Sequence, residues 1–174
     1  MSERISSRAL LASALLFYFG MILWLGSLAF FGVGVAPVIF KTLPSKDLAG
    51  ALNAVILHRL NMLELAGAVC VGISFTLSAS HREKKYVAVQ LALLVVMIGL
   101  WGIYTYILTP QMNALRGQIN SFDTPDMASM VLVQTFRGYH QWYSRLVGAN
   151  MLLGSSLLVL QTRSYFRQAL VISR

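Results

Sequence analysis

The side chains best suited to chemistry in this sequence are Glu64, Arg145, His140, His58, Asn61 and Asn150. A carboxylate inside or beside a bilayer is costly unless it faces protein or water, so Glu64 is half of an ion pair with Arg145 or His140, a group that changes protonation as an ion or small ligand passes, or a surface group that snorkels to water. Asn61 and Asn150 supply the amides that hydrogen-bond one membrane helix to another. His58 and His140 are the pair that could converge on a haem iron or a metal ion, since imidazole suits copper, zinc and iron, with Met62 and Met112 as soft additional ligands. The spacing does not back that chemistry: there is no His-x-x-x-His and no Cys-x-x-Cys, and the lone cysteine, Cys70, lies inside an apolar run. The expectation is therefore no metal and no cofactor. Nor does the spacing place a nucleophile, a base and an orienting group together, so an enzyme is not expected.

These residues are held by strongly apolar elements. The chain of 174 residues is 57% hydrophobic and 11% charged, whereas a soluble domain carries roughly 25% charged residues. No charged residue occurs between Ala9 and Phe40, more than the roughly 20 residues an α-helix needs to cross about 30 Å of hydrocarbon. Further apolar runs give approximate spans at 10–36, 60–80, 86–108 and 142–162. Backbone groups in lipid must be satisfied internally, so the spans are helices, and the fold class is an all-α, polytopic membrane protein. Pro37 and Pro110 are read as the stops of the first and third helices. Arg4 and Arg8 followed by an apolar run, with Ser27-Leu28-Ala29 downstream, loosely resemble a secretory signal, but the run continues to Phe40 and favours a retained first helix.

The net charge of +8 does not point to nucleic acid, because the basic residues are short clusters between the apolar runs. Arg4 and Arg8, then Arg82, Lys84 and Lys85, then Arg163, Arg167 and Arg174 fall on one side of a four-span chain. The positive-inside rule puts that side, with both termini, in the cytoplasm of a cell inner (plasma) membrane. Trp142, Tyr139 and Tyr143 suit the opposite interface, while Trp24 and Trp101 suit helix packing. Gly20, Gly26, Gly32 and Gly34, and the pair Ala68 and Gly72, permit close helix approach.

The two external connections echo each other. Each begins at a proline, Ala36-Pro37 or Thr109-Pro110, and each then shows a helix start, Ser45-Lys46-Asp47 or Thr124-Pro125-Asp126, before reaching His58 or His140. This predicts two helical hairpins in one orientation with amphipathic external extensions, all in a single domain. The pattern Phe30-Phe31-Gly32, Ala36-Pro37 and Phe40, then Leu108-Thr109-Pro110, then Phe136-Arg137, Tyr139-His140, Ser144 and Asn150 resembles the transmembrane protein 205-like family, over about residues 16–160. That resemblance implies a four-helix membrane fold and assigns no catalytic residues.

Three functions fit these features. The first is small-solute or ion transport, or stress resistance, through a polar site at the external ends of helices two and four. The second is a structural or assembly subunit of a larger membrane complex. The third is electron transfer by a haem or metal held by His58 and His140. The lipid bilayer is the expected partner, a homo-oligomer or larger complex a further one.

Overall fold

The computed structural model describes residues 7–78 and 84–172. Arg4, Arg174 and the His81, Arg82 and Glu83 portion of the basic turn lie outside the described residues. Four helices are long and apolar enough to cross a membrane: α1 (Arg8–Thr42), α2 (Lys46–Ser78), α3 (Tyr86–Arg116) and α4 (Met127–Leu170). No strand occurs among the described residues. At 1.5 Å per residue, the 33-residue α2 is about 50 Å long, well beyond the roughly 30 Å of hydrocarbon. Its charge-free part begins at Leu65, so its Lys46–Arg59 portion extends past the membrane-spanning segment. The Thr109–Arg116 end of α3 and the Met127–Gln141 end of α4 do the same.

The described residues form two compact units. One comprises those of Met1–Ser27, Met62–Met97 and Leu152–Arg174, the other Leu28–Asn61 and Ile98–Met151. In the first unit the usual distribution of polarity is inverted. Ser13, Glu64, Ser74 and Gln161 are fully buried, while Leu15 is 62% and Val95 66% exposed. Water would drive the reverse arrangement; hydrocarbon around the helices and polar contacts between them account for this one. This unit is therefore built for lipid.

Its helices are joined by hydroxyls and by glycine contacts. The Ser13 hydroxyl donates to the Ser74 carbonyl at 3.0 Å, Ser74 returns a bond to the Ser13 carbonyl at 2.9 Å, and the Tyr165 hydroxyl lies 2.9 Å from both serine oxygens. Tyr18 and Thr162 add a second α1–α4 hydroxyl pair at 3.0 Å. Where Gly20 meets Gly67, a Cβ on Gly67 would sit 2.6 Å from the Gly20 carbonyl oxygen and 3.1 Å from the Trp24 nitrogen. Of the small residues singled out in the sequence, Gly20 makes this approach, whereas Gly32 and Gly72 face open space.

Both proline stops are corrected. The first helical stretch passes through Pro37 to Thr42, and the third passes through Pro110 to Arg116. A proline in a helix lacks one donor and crowds the carbonyl a turn earlier. Here each is preceded by a π-helical turn, Phe31–Val35 or Ile103–Leu108, which widens the backbone just before the proline. The residue before each proline bonds five residues back, Ala36 N–H to the Phe31 carbonyl and Thr109 N–H to the Tyr104 carbonyl. The echo between the halves thus extends to backbone geometry. The cap of α4 is also corrected, from Thr124 to Asp126, whose Oδ1 accepts the Ser129 N–H at 2.7 Å.

Candidate functional site

The second unit carries a polar end built from the outer turns of α2, α3 and α4. Its connections are fixed by paired carboxylates. Ser45 Oγ accepts the Leu48 N–H at 3.1 Å and caps α2, as its sequence signature suggests. Asp47, in the next turn, accepts the Phe122 N–H and the Ser121 hydroxyl, each at 2.7 Å. Asp123 answers by accepting the Lys46 N–H at 2.8 Å. The bond from the Phe122 backbone, and after it that from Ser121, holds the Asp47 carboxyl below the usual carboxylate range. Bonds from Ser129 do the same for Asp126.

The same unit holds a small cleft, partly open to solvent. Thr109, Met112, Asn113 and Arg116 line one wall at the i, i+3, i+4, i+7 spacing of a single helix face. Asn53 and Leu57 of α2 and Phe136 and His140 of α4 close it. The guanidinium of Arg116 stands over the Phe136 ring, 5.6 Å from its centroid. It lies so near the α2 backbone that a Cβ on Gly50 would come within 3.3 Å of Nη2. No carboxylate pairs with it among the described residues, and burial pulls its pKa down from the ordinary arginine value without removing its charge. His140 is stacked parallel to Phe136 and Tyr143, at centroid distances of 6.4 and 6.5 Å. His140 as a whole remains exposed. Burial, and after it the charge of Arg116, lowers the imidazole pKa.

Asn53 is 9% exposed, and its Oδ1 has no hydrogen-bond partner. The Thr109 hydroxyl, by contrast, is committed to the Tyr104 carbonyl at 2.8 Å. The cleft therefore offers nitrogen donors on three helices, the unpaired Asn53 oxygen, a single positive charge and the apolar side chains of Met112 and Leu57. Such a set suits recognition of a small polar or anionic group.

His140 lines the cleft, and His58 is exposed on α2. Asn61 and Asn150 are buried, and Asn150 donates to the Tyr104 hydroxyl at 3.2 Å. Tyr104 packs edge-on against Tyr143 at 5.4 Å. Arg145 is exposed, and its guanidinium lies over Trp142 at 5.2 Å. Glu64 is fully buried within the membrane-spanning part of α2, in the other unit. Among the described residues, no three His, Cys, Asp or Glu side chains gather as a metal site. Sequence reasoning missed Asn53, Asn113 and Arg116. The signal that finds Asn113 and Arg116 is the helical spacing 109, 112, 113, 116, which a stop at Pro110 conceals.

Residues 9–121 match the model of a family described as Domain of unknown function (DUF4149). The chain belongs to this family. The DUF4149 match takes in α1, α2, α3 and the latched connection as far as Ser121, so it includes Asn53, Asn113 and Arg116 and leaves Phe136 and His140 beyond it. No curated protein and no solved structure matches the chain.

Proposed function

We propose that this protein is a non-enzymatic solute-handling protein of the plasma membrane, with both termini cytoplasmic, and that the cleft at Asn53, Arg116 and His140 is the outer docking point for a small solute or ion that it helps to transport. The observation that carries this reading is Arg116, a half-buried guanidinium with no carboxylate against it, lining the same cleft as Asn53, whose buried Oδ1 has no hydrogen-bond partner. Charges in such positions are expensive unless a ligand meets them. The inward-facing Glu64, Gln90 and Gln161 are consistent with a polar interior in the membrane-spanning unit, since intramembrane polar groups mark solute or proton paths. On this reading the protein is kin in function to the transmembrane protein 205-like group, acts as an oligomer, and needs no haem or metal.

Liposome flux tests it. The reconstituted native protein should dissipate a gradient of at least one among a panel of small cations, anions and neutral solutes. Glu64→Gln, nearly isosteric, should reduce that flux roughly tenfold, the scale of a lost buried charge interaction. Absence of flux across the whole panel contradicts the reading, as does flux indifferent to the substitution.

A further inference from the structure

We infer that the cleft binds a phosphate group, with Arg116 as its principal ligand and the Asn53, Asn113 and His140 side chains as supporting donors. This rests on the reading of the cleft as a docking point and names the chemistry of what docks there.

The argument begins with charge. None of the residues lining the cleft is acidic, and the two carboxylates closest in sequence to its α2 wall and to the connection, Asp47 and Asp123, are occupied by the latch. Arg116 therefore meets its ligand with its charge uncompensated. Its plane is set by the Phe136 ring on one side, while Gly50, lacking a side chain, lets the guanidinium approach α2. A guanidinium fixed in this way presents parallel N–H donors, the geometry that phosphate oxygens accept in pairs.

The remaining donors then select among anions. Asn53 is nine-tenths buried, lines the cleft and makes no side-chain hydrogen bond among the described residues. Asn113, one turn before Arg116, adds a second free amide. The His140 ring brings an N–H from α4. Donor-bearing side chains from three different helices, α2, α3 and α4, thus line one cleft. A planar carboxylate, with two oxygens, leaves part of that set unmet, whereas the tetrahedral oxygens of a phosphate satisfy donors on several sides. The cleft is lined by the polar end portions of helices long enough to cross a membrane, and the apolar Leu57 and Met112 in its lining suit the first carbons of an ester. The phosphate can thus belong to a lipid headgroup or to a free phosphate, and the chemistry at Arg116 is the same.

The test uses the full chain in neutral detergent. Inorganic phosphate, against chloride at matched ionic strength, should raise its thermal midpoint and broaden the ³¹P resonance. In parallel, native mass spectrometry of protein taken from vesicles of phosphatidylglycerol and phosphatidylcholine should show whether a phospholipid is retained instead. Arg116→Gln should weaken whichever response is seen by roughly tenfold or more, the scale for losing a charge-assisted pair, and Arg116→Lys should restore only part of it. Asn53→Ala, which leaves Arg116 in place, should weaken binding by a smaller factor and guards against a folding defect in the arginine variant. Retained lipid with no response to phosphate assigns the site to a headgroup, and the converse to a free phosphate. No response to either probe, or an equal response in well-folded Arg116→Gln, overturns the inference. Flux without phosphate binding overturns this assignment and leaves the transport reading standing; phosphate binding without flux does the opposite.

Discussion

Gly67→Leu should lower the thermal midpoint of the detergent-solubilised protein by about 10 °C, while Gly72→Leu, one helical turn and a residue further along α2, should leave it nearly unchanged. The difference lies in what each new side chain meets. At Gly67 even a Cβ collides with the Gly20 carbonyl and the Trp24 nitrogen, both backbone atoms that cannot rotate away, so α1 and α2 must separate. Overpacking of that kind costs roughly 1–3 kcal/mol, and more where the backbone itself must move. At Gly72 nothing lies within 4 Å of the added atom. Equal midpoints for the two variants, or a greater loss at Gly72, would contradict the α1–α2 contact.

Asp47→Ala should release the connection that carries Ser121 to Asp123. It removes the acceptor of two bonds of 2.7 Å, one from a backbone N–H and one from a hydroxyl. Bonds to a charged acceptor contribute roughly 1.5–3 kcal/mol each. Exchange of the Phe122 amide, followed by hydrogen–deuterium exchange mass spectrometry, should therefore accelerate roughly tenfold to a hundredfold, with peptides from the α1–α2 glycine contact unaffected. The pH dependence has a definite sign. Because the folded-state carboxyl titrates below its unfolded value, its contribution is complete above the ordinary carboxylate pKa and is lost as pH falls through the lower, folded one. After correction for intrinsic rates, native protection at Phe122 should thus be flat from neutrality to about pH 5 and fall in stronger acid. An unchanged Phe122 rate in the variant would show that the latch does not hold the connection.

Much of the architecture is legible from composition, since a charge-free run such as Ala9 to Phe40 permits few structures other than a helix in lipid. Which side of each helix turns inward is less so. When nearly every position is apolar, periodicity carries little information, and the buried stripes are marked by the polar exceptions: Ser13 on α1, Glu64 and Ser74 on α2, Gln90 on α3 and Gln161 on α4. Arg116 was hidden for a local reason. Proline reads as a helix stop because of its missing donor, and a π turn that absorbs the mismatch has no simple sequence signature. Once α3 continues past Pro110, Arg116 moves from an irregular loop onto the face that carries Asn113. His140 could be found because it stands four residues after Phe136 on an uninterrupted helix. Asn53 stood out neither by charge nor by motif, and only its burial without a partner draws attention to it.

The account depends on the cleft and its latched connection standing across the membrane from both termini. In a Cys70→Ser background, a Thr124→Cys variant labelled with a membrane-impermeant maleimide in intact cells tests this directly. The cysteine should react without permeabilisation, while cysteines placed in tags at either terminus should react only after it. Labelling of a terminus in intact cells, or of Thr124→Cys only once the membrane is opened, would contradict it.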